Sequence, residues 1–271
     1  MIQHIQHFGL FINRIVQQRY VIQQMVRRDF QVRYLGSYLG LFWAFAQPLV
    51  MLAVIYFAFS YGLRLNLASG EYPFALWLVC GLVPWQFMQE AIGGGTDSLL
   101  AYSYLIRKTA FSRGIIPLIK VFTSLILHLV LLLLLLIWVW AAGFAPGWHW
   151  LQLPYYLLAS FLMLSGLGWL LGSLSVFVRD IGLAVKLGLG LLFWLTPIFW
   201  SPEMIASEWR FLIWANPLYF LVQGYRSVLL EGMWFWEIPV YQAYSWGIST
   251  FMFVAGAMVF RRLRPHFADM L

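Results

Sequence analysis

Long apolar runs separated by short polar segments dominate the chain. Six of these runs are long enough to cross a bilayer, because a transmembrane helix needs roughly 20 mostly apolar residues to span about 30 Å of hydrocarbon. They cover residues 39–61, 74–92, 115–142, 154–177, 183–200 and 241–260. The fifth run ends at Thr196 and Pro197, where the proline predicts a kink or a break. The pattern predicts an all-α integral membrane protein with six transmembrane helices, numbered one to six in chain order.

Residues 1–38, which precede the first span, have a different periodicity. Between residues 2 and 26 apolar side chains recur every three or four positions, and Gln, Asn and Arg occupy another face. This spacing predicts an amphipathic interface helix that lies on the cytoplasmic surface of the membrane. The alternative is a helix that packs on the cytoplasmic side of its own protein. We therefore divide the chain into an interface helix, 1–38, and a single transmembrane domain, 39–271.

The segment 201–240, between spans five and six, is the longest connection and contains nine aromatic residues. An exposed loop would not carry so many rings. Irregular backbone at membrane depth is tolerated only where it is buried in protein or lines water. We therefore expect this segment to form short re-entrant helices.

The composition supports a membrane protein and also fixes an orientation. Hydrophobic residues make up 62% of the chain and charged residues only 10%, whereas soluble domains carry about 25% charged residues. Of the 17 Lys and Arg residues, only Arg64, Arg210 and Arg226 fall on one side of the predicted spans. The positive-inside rule then predicts that both termini of this multi-pass membrane protein are cytoplasmic.

The sequence carries no recognisable catalytic or metal site. No Gly-x4-Gly-Lys-Ser/Thr phosphate loop is present, and the five histidines lack metal-ligand spacing. Gly93, Gly94 and Gly95 lack a following lysine, and we expect them to form a flexible end of the second helix rather than a phosphate cradle. His128 lies inside span three, where an ionisable group is either functional or hydrogen-bonded to a neighbouring helix, and we favour the hydrogen bond. We expect a transport subunit rather than an enzyme, with no cofactor of its own.

Several short motifs, in order along nearly the whole chain, resemble the membrane subunit of polysaccharide-exporting ABC transporters, which move O-antigen, capsule or teichoic acid chains. The motifs are Arg28-Asp29-Phe30 with Arg33-Tyr34, Gly40-Leu41-Phe42-Trp43-Ala44 with Gln47-Pro48-Leu49, Gly81-Leu82-Val83-Pro84-Trp85, Val178-Arg179-Asp180-Ile181, Phe193-Trp194-Leu195-Thr196-Pro197-Ile198 and Asn216-Pro217-Leu218-Tyr219.

The resemblance implies that two copies of the chain form a channel that exports a lipid-linked polysaccharide, with O-antigen as the favoured one, across the inner (cytoplasmic) membrane. It also implies two copies of a separate cytoplasmic ATPase, which would bind the ATP and Mg. The basic segment between spans two and three is similar in position to the family's coupling helix, and we offer Arg107, Lys108 and Phe111 as its docking residues. The alternative is that the two cations only set the topology. The region after span five resembles the family's external gate, for which we name Trp209, Trp214 and Tyr219.

Aromatic side chains suit a channel for sugars, because pyranose C–H faces stack on rings and Tyr or Trp can also hydrogen-bond hydroxyl groups. Our candidates for the channel lining are Phe42, Trp43, Phe193, Trp194, Phe199 and Trp200. Each ring could instead face lipid or a neighbouring helix. The alternative function is an ABC exporter permease of the same build that moves a drug or a lipid. An enzyme acting on lipid-linked sugars is less favoured, because paired carboxylates are missing, and so is a scaffold without transport.

Overall fold

The computed structural model describes residues 17–34, 40–58, 72–108 and 112–271, and these residues contain helices and turns but no strand. The α-helices are α1 (Arg19–Tyr34), α2 (Gly40–Phe57), α3 (Phe74–Ala101), α4 (Ser103–Lys108), α5 (Ile115–Ala141), α6 (Leu153–Phe177), α7 (Asp180–Leu195), α8 (Arg210–Trp214), α9 (Pro217–Arg226), α10 (Pro239–Leu263) and α11 (Phe267–Met270). Short 3-10 turns and one π-turn, Ser227–Glu231, join some of them.

Within the described part of the chain, three helical segments are long and apolar enough to cross a membrane: Ile115–Ala141, Trp148–Phe177 and Pro239–Met270. They contain α5, α6 and α10 and match predicted spans three, four and six. The helices at the positions of spans one, two and five are α2, α3 and α7, with 18, 28 and 16 residues. Helix α7 stops at Leu195 and Thr196 is extended, which confirms the break predicted before Pro197.

Glycines let the long helices approach one another closely. A Cβ added to Gly95 of α3 would lie 2.9 Å from the Cα of Gly168 in α6, and one added to Gly172 would lie 2.8 Å from the Gly95 carbonyl oxygen. Small residues at such contacts let membrane helices pack by van der Waals attraction. The prediction that the glycine triplet forms the end of the second helix is therefore wrong. Helix α3 continues through it to Ala101, because Gly95 is a packing position.

The helix α1 is amphipathic and packs on the start of α5. Ile22 and Val26 are buried in one apolar cluster with Ile115 and Ile119 of α5. This confirms the amphipathic pattern for Arg19–Tyr34 and shows that one face of the helix packs on its own protein. Its position on the membrane surface stays a prediction. Residues 1–16, where most of the predicted periodicity lies, are outside the described residues.

A buried carboxylate fixes this helix to the bundle. Asp29 of α1 is 6% exposed, forms an ion pair with Lys120 of α5, and accepts a hydrogen bond from the Tyr102 hydroxyl at 2.7 Å. Burial and the hydrogen bond to Asp29 both raise the pKa of Tyr102. The phenol therefore stays protonated and remains a donor at neutral pH.

Candidate translocation site

Four of the six predicted channel residues line one cavity. Trp43 of α2, Phe193 and Trp194 of α7, and Phe199 after the break surround a space of about 790 Å³, together with aliphatic side chains of α2. Phe42 is exposed beside this cavity and contacts the Trp43 ring edge-to-face, with centroids 5.7 Å apart. The structure thus brings the aromatic residues of two distant sequence motifs to one place.

The rings of this cavity have different environments. Phe193 and Phe199 are buried, whereas Trp43 and Trp194 are 57% and 63% exposed. The Trp194 ring meets Phe199 edge-to-face with centroids 4.9 Å apart, and Phe193 packs 5.7 Å from Phe199. The two phenylalanines therefore support the wall, and the two tryptophans present the accessible ring faces.

Trp200, the sixth predicted channel residue, has a different contact. Its indole Nε1 donates a hydrogen bond to the Trp194 carbonyl oxygen at 3.0 Å, and the side chain is half-buried. This contact folds the chain back across the C-terminal end of α7, where the last helical carbonyls have no partner within the helix. In this structure Trp200 stabilises the break.

The backbone break after α7 is held by polar side chains. The Thr196 hydroxyl donates to the Leu192 carbonyl at 2.7 Å and accepts a hydrogen bond from Asn216 Nδ2 at 2.8 Å. Asn216 Oδ1 in turn accepts from the backbone N–H of Leu218 at 3.0 Å and so caps the start of α9. One amide side chain therefore joins the end of α7 to the start of α9.

Arg226, at the end of α9, completes this arrangement. Its side chain is fully buried, and Nη1 and Nη2 donate to the carbonyl oxygens of Pro197 and Ile198 at 2.6 and 2.7 Å. The guanidinium also lies 3.4 Å from the centroid of the Trp77 ring, and its Nε donates to the Trp77 carbonyl at 3.3 Å. Among the described residues no carboxylate forms an ion pair with Arg226, so carbonyl dipoles and one indole ring neutralise this cation.

A glycine makes room for the guanidinium. A Cβ on Gly81 of α3 would lie 2.5 Å from Nη2 of Arg226. We call the set of Trp77, Gly81, Thr196, Pro197, Ile198, Asn216 and Arg226 the break network. It unites residues of three motifs that lie far apart in the sequence, at Gly81, at Thr196-Pro197-Ile198 and at Asn216.

Sequence reasoning missed the role of Arg226, which we had counted only as an external charge. The signal that could have found it is its position directly after the apolar run from Leu218 to Tyr225, on the side with few cations. A lone cation in such a run must find acceptors inside the protein, because burying an unsatisfied charge is very unfavourable.

His128 forms the predicted hydrogen bond to a neighbouring helix. Its Nε2 lies 2.8 Å from the Tyr225 hydroxyl of α9, and its ring stacks on Phe87 of α3 with centroids 4.7 Å apart. His128 is the middle residue of α5, so the end of α9 lies beside the centre of a membrane-spanning helix. Most of α9 is buried in protein, as predicted for the segment 201–240, and the re-entrant path of this segment stays a prediction.

The three predicted gate residues lie in different surroundings. Trp209 and Trp214 are 58% and 46% exposed, whereas Tyr219 is buried in α9 and its ring contacts Phe220 with centroids 5.6 Å apart. Only Tyr219 therefore belongs to the buried part of the segment. The role of all three residues stays a prediction.

The predicted coupling segment contains a short helix, α4 (Ser103–Lys108). Ile106 of this helix is buried in the same apolar cluster as Phe267 of α11, so α4 rests on the C-terminal end of the chain. The side chains of Arg107 and Lys108 and the whole of Phe111 lie outside the described residues. Their docking role stays a prediction.

Known proteins are similar to this chain along most of its length. Two O-antigen export system permease proteins RfbA of Klebsiella pneumoniae are each 27% identical over 248 residues, which cover 91% of this chain and 93% of the relative. A protein of the same name from Myxococcus xanthus is 27% identical over 260 residues, 95% of this chain and 98% of the relative. The model of the ABC-2 type transporter family matches residues 20–230. Since that match spans most of the chain, the protein belongs to the ABC-2 type transporter family.

Proposed function

We propose that this chain is the channel-forming permease subunit of an exporter that moves a lipid-linked O-antigen polysaccharide across the inner membrane. Its relatives along almost their whole length are named O-antigen export permeases. The observation that carries the proposal is the pair of exposed indoles, Trp43 and Trp194, which face one cavity between α2 and α7.

Stacking on rings suits a polymer that must slide. Stripping water from sugar hydroxyls in hydrocarbon would cost several kcal/mol for each unsatisfied group, so the glycan needs a partly hydrated path. Weak repeated contacts with rings allow movement, whereas one tight site would hold the chain in place. Trp43 and Trp194 would supply such contacts, and Phe193 and Phe199 would keep the indoles in position.

The work would come from a separate ATPase subunit on the cytoplasmic side, which would bind the ATP and Mg. The sequence lacks a phosphate loop, and α4 offers a compact cytoplasmic helix that a partner could push. Two copies of the chain and two of the ATPase would form the transporter, with six spans per copy and both termini cytoplasmic. An open channel between two copies would then be lined by the exposed faces of α2 and α7.

The segment after α7 would act as the external gate, as short re-entrant helices. The hydrogen bond from Tyr225 to the central His128 of α5 supports a re-entrant path for α9. The break network ties the same helix to the end of α7, where the channel rings lie. A movement of α7 would thus be passed to α9 through Asn216 and Arg226.

The test of the channel is to replace both indoles and follow surface O-antigen in cells that lack their own copy. We expect Trp43→Ala/Trp194→Ala to reduce export strongly, while Trp43→Phe/Trp194→Phe retains most of it because a ring remains. The matched control is Trp138→Ala/Trp140→Ala, which removes two exposed indoles of α5 away from the cavity. Normal export by the inserted double alanine variant would contradict the role of the rings.

The test of coupling is charge reversal on α4. We expect Arg107→Glu/Lys108→Glu to lower co-purification of the ATPase and to stop export. Arg261→Glu/Arg262→Glu changes the same number of exposed charges at the end of α10 and serves as the control. If the ATPase co-purifies with the α4 variant in normal amounts, the docking assignment is wrong.

One observation favours a second candidate, an exporter of a lipid or a drug. Apart from the two indole N–H groups, the described side chains that line the cavity between α2 and α7 are hydrophobic, as expected for a hydrocarbon ligand. Purified transporter with its ATPase separates the two functions. Stimulation of ATP hydrolysis by the lipid-linked glycan but not by the lipid carrier alone supports the polysaccharide, and the reverse supports the second candidate.

A further inference from the structure

A second cavity lies between α1 and α5 and shares no lining residue with the cavity of the channel rings. Its volume is about 750 Å³. Its wall on α1 includes Arg19, Gln23 and Arg27, and its wall on α5 includes Phe122, Ile126 and Leu129. The α1 wall also includes Ile22, Val26 and Phe30, so two arginines lie along a groove that is otherwise mostly apolar.

The cationic side has a regular origin. Arg19, Gln23 and Arg27 are spaced by four residues, which places them in one row along α1. The neighbouring row, with Ile22 and Val26, packs on α5 and fixes the helix. Over eight residues the two arginines are about 12 Å apart along the helix axis. The row thus offers two cations along the edge of an apolar groove.

Both arginines lack a counterion among the described residues. Their side chains are exposed, and neither forms an ion pair there. The carboxylate nearest in the helix, Asp29, already binds Lys120 and Tyr102. The charge on the groove edge is therefore available to an anionic ligand.

The apolar side lies on a membrane-spanning helix. Helix α5 is one of the segments apolar enough to cross a bilayer, and Ile126 and Leu129 are 40% and 47% exposed. Exposed aliphatic side chains on such a helix contact acyl chains. The start of α5, where α1 packs, is the cytoplasmic end by the distribution of positive charge. The groove therefore runs from the headgroup level of the cytoplasmic leaflet into the hydrocarbon.

We propose that this groove binds one anionic glycerophospholipid of the membrane. The acyl chains lie along Phe122, Ile126 and Leu129, and the phosphate is held by Arg19 or Arg27, with Gln23 between them as a hydrogen-bond donor. A basic pocket beside a transmembrane helix on the cytoplasmic side is suited to anionic headgroups. The bound lipid fills the gap between α1 and α5 and so holds the interface helix on the bundle.

The test compares lipids that differ only in headgroup. Delipidated protein is titrated with phosphatidylglycerol or phosphatidylethanolamine of identical chains, and bound lipid is counted by native mass spectrometry. Each surface arginine should favour the anionic lipid about fivefold. We expect Arg19→Gln/Arg27→Gln to remove most of this preference, while Arg261→Gln/Arg262→Gln, which removes two exposed charges of α10, retains it.

The apolar wall is tested separately with the charges intact. Leu129→Trp fills the groove and should lower binding of both lipids, whereas Leu133→Trp places the same ring on the exposed surface of α5 outside the groove and should not. Two further probes identify the source of the phosphate. Inorganic phosphate should not compete with phosphatidylglycerol, and a polyprenyl phosphate should compete weakly.

Three results would overturn the proposal. The first is a headgroup preference that survives the loss of both arginines. The second is effective competition by inorganic phosphate, which would show that the apolar wall is not used. The third is displacement of phosphatidylglycerol by a lower concentration of polyprenyl phosphate, which would assign the groove to the carrier of the substrate instead.

Discussion

Replacing Arg226 by methionine should destabilise the break network, and the labelling rate of a buried cysteine in the chain can measure this effect. The variant removes the donors for two buried carbonyl oxygens, those of Pro197 and Ile198. Each unsatisfied buried acceptor costs about 1–3 kcal/mol. Methionine fills similar space without a charge to desolvate, which offsets part of this cost. We therefore expect a net destabilisation of about 3 kcal/mol around the break.

The probe is Cys80, the only cysteine of the chain, which is buried in α3 next to Gly81. A thiol-specific dye can react with it only when the helices around it open. If opening is in fast equilibrium, about 3 kcal/mol corresponds to about a hundredfold higher labelling rate, since each 1.4 kcal/mol is tenfold. Losing a nearby cation would by itself disfavour the reactive thiolate, so a faster rate reports opening.

Two further variants control this measurement. Arg210→Met removes an arginine that donates to the carbonyls of Ile205 and Glu203 but is only half-buried, and it should leave the labelling rate within threefold. Arg226→Lys keeps a charge but cannot donate to two carbonyls and stack on Trp77 as a planar group, so its rate should be intermediate. Labelling of Arg226→Met at the wild-type rate would refute our account of the break network.

Three other contacts give predictions that can be checked by thermal melting in detergent. Gly256→Leu should prevent folding, because the new side chain would overlap the backbone of Gly166 in α6. Gly247→Leu, on the same helix with open space around it, should melt normally, and equal melting of the two variants would refute the close packing. Asp29→Asn should lower the free energy of unfolding by about 3 kcal/mol, because Lys120 loses its partner. Asp97→Asn, whose ion pair with Lys186 is more exposed, should lower it by less than about 1 kcal/mol, and a similar loss in both variants would contradict this ranking. Tyr225→Phe should lower the free energy of unfolding by about 1–3 kcal/mol, because His128 Nε2 is left without a hydrogen-bond partner. In a protein that already carries His128→Leu the same substitution should cost much less, so additive losses would argue against the hydrogen bond.

Apolar runs and prolines were sufficient to predict the long helices. The starts of α5 and α6 follow from segments that are apolar over at least four helical turns. The break after α7 follows from Pro197, which lacks a backbone N–H group. The end of α3 was missed because glycine usually weakens helices, and only the neighbouring α6 shows that Gly95 serves close packing. Local patterns predict local structure, and contacts between helices can reverse what they indicate.

The candidate site was predictable in its residue types but not in its arrangement. The aromatic motifs contain Trp43 and Trp194, which are exposed and line one cavity, and their role in a channel stays a prediction. The polar partners that hold the break after α7 could not be found, because Asn216, Arg226 and Gly81 act across large sequence separations and through backbone carbonyls. Every residue has a backbone carbonyl group, so the sequence does not show which carbonyls accept hydrogen bonds from a buried cation. Only the folded structure identifies them.

Helix α3 connects the two polar networks of this protein. Near its N-terminal end, Trp77 and Gly81 receive the guanidinium of Arg226, and just beyond its C-terminal end Tyr102 donates to Asp29 of α1. These ends belong to one continuous helix of 28 residues, about 42 Å long, which packs through Gly95 on α6. The break that positions Trp194 and the contact that holds the interface helix are thus both built on α3. A substitution on its buried face should therefore disturb both ends, whereas one on the cavity side of α2 should disturb only the cavity.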